Sequence, residues 1–286
     1  FFGGPQDYLP YSYLFNPAAG TWGTDSTKDE MKPGSGVMYR PGRFLRAGHH
    51  SAGDNAHNGT DHTDTLALQT NDTSSGWLMP TQTELLPRAN HNLTVLPTGV
   101  VLATGGMVNA NEAQRQPQIW NPTIPRWAFA DTLERDPQKR NYHSTAALLP
   151  DGRVLTAGGD KFDDMRLASI FEPPYLFSGN NYATRPVIEG TPERVRYATD
   201  FSICTPYLTA LSSVCLIRPA AVTHAFDQNQ RYVPLTIKST DPGGTRSVIA
   251  APADSFLAPP GDYMMFIVNT AGVPSVAKWV RVGPFL

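Results

Sequence analysis

A strong charge of either sign is the first thing this chain lacks. Lysine and arginine total 23 against 25 aspartate and glutamate, so no basic field is available for nucleic acid or for an anionic membrane surface. No stretch approaches eighteen uninterrupted apolar residues, which argues against a membrane-spanning helix. No long segment carries a 3.6-residue apolar period, whereas 26 prolines and 24 glycines punctuate the chain. That combination predicts an all-β, turn-rich protein. An initiator methionine and a signal peptide are also missing ahead of Phe1, which suggests a processed or partial polypeptide. The 286 residues leave room for two domains.

Cysteine is scarce too. Cys204 and Cys215 are the only two, on what read as successive strands. Two cysteines in an exported domain most often form one disulfide, and the competing reading is a pair of buried thiols. Three Asn-x-Ser/Thr sequons, at Asn58, Asn71 and Asn92, lean towards a secreted glycoprotein, whereas Asn121 is disqualified by Pro122.

What is present is a repeat. Arg140 to Asp160, RNYHSTAALLPDGRVLTAGGD, reads as two strands, Ser144 to Leu149 and Val154 to Ala157, joined by the turn Pro150-Asp151-Gly152-Arg153 and stopped by Gly158-Gly159. Ala89 to Met107 repeats it, with His91 for His143 and Gly105-Gly106 for Gly158-Gly159; His91 and His143 lie 52 residues apart. A degenerate copy runs from Gly36 to Gly48, and Phe1-Phe2-Gly3-Gly4 looks like the stump of another. After three of these marks comes a short strand ending in Asn-Pro or Glu-Pro, at Asn16-Pro17, Asn121-Pro122 and Glu172-Pro173. A period near fifty with several short strands and a Gly-Gly mark is that of a kelch-type β-propeller blade. At about fifty residues per blade, the region holds about three to four blades.

Residues 1–182 are therefore read as part of a kelch β-propeller. Within them His49 to Thr63 is rich in histidine: His49, His50, His57 and His62. Their spacing fits no regular metal site, and the reading is a solvated loop, with ligand binding as the minority alternative. Trp77, Trp120 and Trp127 are expected to pack between blades. From residue 183 to 286 the pattern becomes alternating segments separated by Pro/Gly turns or polar breaks, as in an immunoglobulin-like β-sandwich. Inside it Arg218 to Leu235 reads as two strands around a polar tip, with His224 close to that tip.

Four stretches carry a family likeness. Tyr142-His143-Ser144 with Leu149 to Val154, Phe171 to Leu176, Thr223 to Arg231, and Tyr263 to Asn269 with Ala271 to Ser275 together resemble the C-terminal part of the galactose oxidase and glyoxal oxidase family, extracellular copper radical oxidases. The resemblance implies a seven-bladed propeller followed by an immunoglobulin-like domain. It also implies copper, with Tyr142 as axial ligand and base towards the substrate hydroxyl, His143 as a neighbouring ligand, and His224 as the ligand brought on a long hairpin. Imidazole nitrogens and a phenolate suit Cu(II). Neighbouring strand residues point to opposite faces, so Tyr142 and His143 can share one ion only if the chain bends just before the strand.

The family's Tyr-Cys radical cofactor has no place here, because both cysteines fall in the sandwich. A partial propeller would also expose strand edges. The expectation is that the N-terminal half of a nicked precursor or a second subunit completes the ring and supplies the radical pair. The substrate would be a small alcohol, aldehyde or carbohydrate, oxidised by O2 to give H2O2. The alternative is a non-catalytic, extracellular, glycosylated propeller that contacts carbohydrate or serves as a structural component.

Overall fold

Short strands and tight turns give the architecture its character. The computed structural model describes residues 2–3, 12–16, 18–23, 34–49, 58–67, 77–78, 84–128, 133–160, 166–206, 211–241 and 245–284. Among them the secondary structure is β-strand throughout apart from one 3-10 turn, Pro174–Leu176.

The repeat forms successive antiparallel sheets, as the period requires. In the clearest copy, Ser144–Leu148 pairs with Val154–Gly158, which pairs with Ser169–Phe171. The preceding copy runs Asn92–Val95, Val101–Thr104, Gln118–Asn121 and Arg126–Ala128. Its Trp120 and Trp127 are fully buried. Trp127 donates from its indole N–H to Thr63 Oγ1 at 2.9 Å, so it bridges to the sheet before. Trp77 instead lies under the Arg46 guanidinium, 4.4 Å from the ring centre. The earlier copy is built from Ser35–Arg40, Arg43–Ala47 and Thr63–Ala67. An N-terminal piece pairs Phe2–Gly3 with Ser12–Asn16 and then Thr21–Gly23.

In the C-terminal region a five-stranded sheet, ordered Arg194–Val195, Lys278–Val282, Gly261–Asn269, Leu211–Arg218, Arg231–Leu235, faces a three-stranded one made of Asp200–Cys204, Arg246–Ala250 and Ile237–Thr240. Between Val195 and Asp200 the chain breaks, with Ala198 at φ 52° and its N–H given to Pro252 O at 2.9 Å.

Side chains of Leu211–Arg218 divide by parity, because a strand alternates its faces. Val214 and Leu216 enter the sandwich core with Ile203, Ile249, Tyr263 and Met265. Cys215 and Ile217 enter the other core, with Met264 and Phe266 beside Leu96, Val101 and Trp120 of the repeat region. The central strands of the larger sheet, Leu211–Arg218 and Gly261–Asn269, are thus buried on both faces, one of them against the repeat sheets. Arg185 reinforces that seam, donating to Asp151 O at 2.7 Å and to Pro274 O and Ser275 O at 2.8 and 2.6 Å.

This parity overturns the expected disulfide. Cys204 and Cys215 are both free thiols. Cys215 points to the repeat region, 3.5 Å from Pro97 O, whereas Cys204 stands on the opposing sheet beside Gly190. The sequon at Asn92 is overturned as well. Asn92 is 2% exposed and donates its amide to Ser144 Oγ at 2.9 Å, so a glycan has no room there. Asn58 is exposed, and Asn71 lies outside the described residues.

Candidate metal centre

The site forms where a turn of one domain meets a hairpin of the other. Tyr142 and His143 occupy the turn that precedes Ser144–Leu148, closed by Ser144 N–H donating to Asn141 O at 2.9 Å. His143 adopts φ 62°, a left-handed conformation that non-glycine residues enter only when their surroundings impose it. That single torsion breaks the strand alternation. The Tyr142 and His143 rings consequently lie side by side, 3.8 Å between centres at an interplanar angle of 33°.

The third ring arrives from the sandwich. Val222–Thr223 and Phe226–Asp227 form a hairpin whose two turn residues, His224 and Ala225, have φ 52° and 62°. Positive φ at both central residues is the signature of a type I′ turn, which matches the twist of paired strands. His224 is therefore the tip itself. Its ring centre lies 5.1 Å from that of His143 and 5.5 Å from that of Tyr142, nearly perpendicular to both.

Two devices hold the hairpin in the propeller region. Phe226 pairs in parallel with Gly36, so the hairpin extends the sheet that begins at Ser35–Arg40. Gly36 allows this approach, since a Cβ there would stand 2.7 Å from the Phe226 ring. Behind the tip, Asp227 Oδ1 accepts the N–H groups of Ala221, Asn229 and Gln230 at 3.2, 3.0 and 2.8 Å. Burial pushes the Asp227 carboxyl up, against the lowering effect of those three donors. The Gln230 side chain then reads Val95 as a neighbouring strand would: its Oε1 accepts from Val95 N at 2.7 Å and its Nε2 donates to Val95 O at 3.2 Å.

The ring nitrogens are sorted by their partners. His143 Nδ1 lies 3.0 Å from Asp160 Oδ2, and His224 Nδ1 lies 2.6 Å from Thr223 Oγ1. With Nδ1 engaged in both rings, Nε2 is the nitrogen left to act as a ligand. Two imidazoles and a phenol within 5.5 Å of one another are a donor set that fits a tetragonal copper ion.

Other sequence candidates fall elsewhere. His91 holds the repeat position of His143 yet is wholly buried, with Nδ1 3.1 Å from Ser35 Oγ. The difference lies in which residue turns: there Asn90, not the histidine, takes the left-handed conformation, φ 58°. Desolvation, and then the charge of Arg88, hold the His91 pKa well below its ordinary value. In the histidine-rich loop His49 is buried rather than solvated, its ring 5.6 Å from that of His62. His62 leans on Asp64 at 3.5 Å, and Asp64 pairs with Arg46 at 2.9 Å. His50 and His57 lie outside the described residues. Among the described residues no three His, Cys, Asp or Glu side chains gather as a metal site, so the Tyr142 phenol is what completes a three-donor set. Sequence reading missed Asp160, Thr223, Asp227 and Gln230. The first follows the Gly-Gly mark directly, and the last two stand three and six residues beyond His224, the only signals that could have found them.

Comparison with known proteins gives the chain its relatives. Residues 185–282 match the family described as galactose oxidase-like, early set domain. The chain is 38% identical over 216 residues to an aldehyde oxidase of Vitis pseudoreticulata, covering 68% of this chain and 41% of that protein. It is 37% identical over 203 residues to a galactose oxidase of Gibberella zeae, covering 68% of this chain and 29% of that protein. A fungal alcohol oxidase of the AA5 family, solved in complex with copper, superposes with a TM-score of 0.79 at 26% identity, over 92% of this chain and 56% of its own. The chain thus spans less than half the length of the aldehyde oxidase and of the galactose oxidase, and 56% of the alcohol oxidase. With an all-β fold, an early set domain and a ring cluster at the seam between its two regions, the chain belongs to the galactose oxidase and glyoxal oxidase family.

Proposed function

We propose that the chain is the C-terminal part of a secreted copper radical oxidase that takes a primary alcohol or an aldehyde as substrate. The observation that carries this reading is the convergence of Tyr142, His143 and His224, from two regions of the chain, within 5.5 Å of one another. His143 and His224 would hold copper through Nε2, and Tyr142 through its phenolate oxygen. Bound copper would supply one-electron chemistry and a coordination position for the substrate oxygen.

In the reaction, two electrons and two protons leave the alcohol for O2, giving the aldehyde and H2O2. An aldehyde would react as its hydrate and give the acid. Tyr142 Oη is the group assigned to take the hydroxyl proton, and it must therefore be ionised, or displaced from its proton, when substrate arrives. His143 and His224 would hold the copper beside that oxygen. The second electron carrier, a tyrosine cross-linked to a cysteine, is assigned to a further stretch of polypeptide, either the N-terminal half of a longer precursor or a separate subunit. That stretch would also complete the propeller.

The thiols support this division, since Cys204 and Cys215 both lie on strands of the C-terminal region and neither belongs to a repeat sheet. The same observation favours a second reading, a non-catalytic extracellular propeller that contacts carbohydrate. Copper content, intact mass with and without reduction, and peroxide release from primary alcohols and aldehydes separate the two. One copper per complex, with a two-hydrogen mass deficit on a Tyr/Cys peptide that survives reduction, is expected. His224→Ala should lose copper affinity while keeping its melting temperature within a few degrees, since the side chain adds little packing at a hairpin tip. Copper retained in full by that variant would remove His224 from the ligand set. Native material without copper or cross-link would favour the scaffold.

A further inference from the structure

The strand ending in Gly158 does more than close a hairpin. Beyond it the chain turns through Gly159, φ 121°, and sets Asp160 over the turn that carries the two adjacent rings. There Asp160 N–H reaches Asn141 Oδ1 at 3.3 Å, and Asn141 is itself buried. Its carboxylate Oδ2 stands 3.0 Å from His143 Nδ1. Gly158 is needed for this closure, since a Cβ on it would come within 3.0 Å of His143 O. Asp160 is thereby tied to both ends of the Tyr142–His143 turn.

We propose that Asp160 is a positioning residue for the metal centre, acting through His143; this rests on the copper reading given above. A neutral imidazole in water favours the proton on Nε2, the very nitrogen the site needs as a ligand. By accepting from Nδ1–H, the carboxylate holds the proton on the other nitrogen, fixes the ring about its Cβ–Cγ bond and raises the basicity of Nε2. Carboxylate partners of metal-bound histidines act in this way, and their loss costs 10- to 100-fold in metal affinity. The two histidines are treated unequally. His224 Nδ1 faces a neutral hydroxyl, Thr223 Oγ1, whereas His143 faces an anion. His143 is therefore the stronger donor of the pair, and the centre has a built-in asymmetry between its propeller-side and sandwich-side ligands.

The test uses the full chain and the variants Asp160→Asn and Asp160→Ala, with two readouts. The first is the tautomer of His143 in the metal-free protein, read from long-range 15N–1H couplings in alkaline buffer. The parent should show Nδ1–H, and Asp160→Ala a shift towards Nε2–H, with Asp160→Asn between them. The second is copper itself, added as Cu(II) alone, with affinity by competitive chelation and the Cu(II) EPR spectrum. Asp160→Ala should bind about 10- to 100-fold more weakly, with altered hyperfine splitting, and a melting temperature near that of the parent because the carboxylate is partly exposed. A parent that binds copper beside an Asp160→Ala variant with the same affinity, spectrum and tautomer would overturn the assignment of Asp160 and leave the copper reading standing. A parent that binds no copper would overturn both.

Discussion

The fates of His91 and His143 depend on which residue turns the chain. Both stand at the same repeat position, yet the left-handed residue is Asn90 in one copy and His143 in the other, and this buries the first imidazole while presenting the second. His91 is held neutral by burial and by Arg88. A histidine whose folded pKa is depressed takes up a proton below about pH 6.5 only when the chain unfolds. Stability should accordingly be level above that pH and fall as pH drops below it, by up to about 1.4 kcal/mol per pH unit. Urea midpoints at mildly acidic and mildly alkaline pH would show the slope, and His91→Gln should flatten it. The cysteines provide a second check at this scale. Both thiols should react with Ellman's reagent in denaturant without reductant, since neither is oxidised in the fold.

Among the elements, the hairpin Val222–Thr223/Phe226–Asp227 decides whether the two regions make one site. Gly36→Ala would drive a methyl group into the Phe226 ring and should lift the hairpin off its sheet. Overpacking of this kind costs about 1–3 kcal/mol, and the accompanying displacement of His224 should weaken copper binding by more than tenfold. Gln230→Ala tests the other anchor by leaving Val95 N and O without their partner. Each orphaned buried group costs about 1–3 kcal/mol, which a thermal melt would register. The hairpins themselves were legible from sequence, because alternation, turn residues and Gly-Gly marks are local. Their mutual anchoring was not. Gln230 meets Val95 across 135 residues, and nothing near either residue announces the partner. Asp160 was hidden for a similar reason, being read as the residue after a stop signal rather than as a neighbour of His143. The disulfide was expected from the bare count of two cysteines in an exported domain, and the parity and change of sheet that send them apart are not local to either residue.

For the whole molecule, the consequence follows from the sheet whose central strands are buried on both sides. Cys215, Ile217, Met264 and Phe266 pack against the repeat region rather than the sandwich core. Excision of residues 183–286 would bare that face, and the excised piece should aggregate unless Cys215, Ile217, Met264 and Phe266 are made polar; light scattering on the two proteins would decide. The seam also places the centre under thermodynamic linkage. A metal whose ligands come from both regions binds only when they are docked, so it stabilises docking by RT ln(1 + [L]/Kd), about 2.7 kcal/mol at a hundred times Kd. Copper would then act as a clasp. Heating the metal-free chain should separate the loss of the seam from the melting of the sheets, whereas the loaded chain should unfold in a single cooperative step whose midpoint rises with free copper.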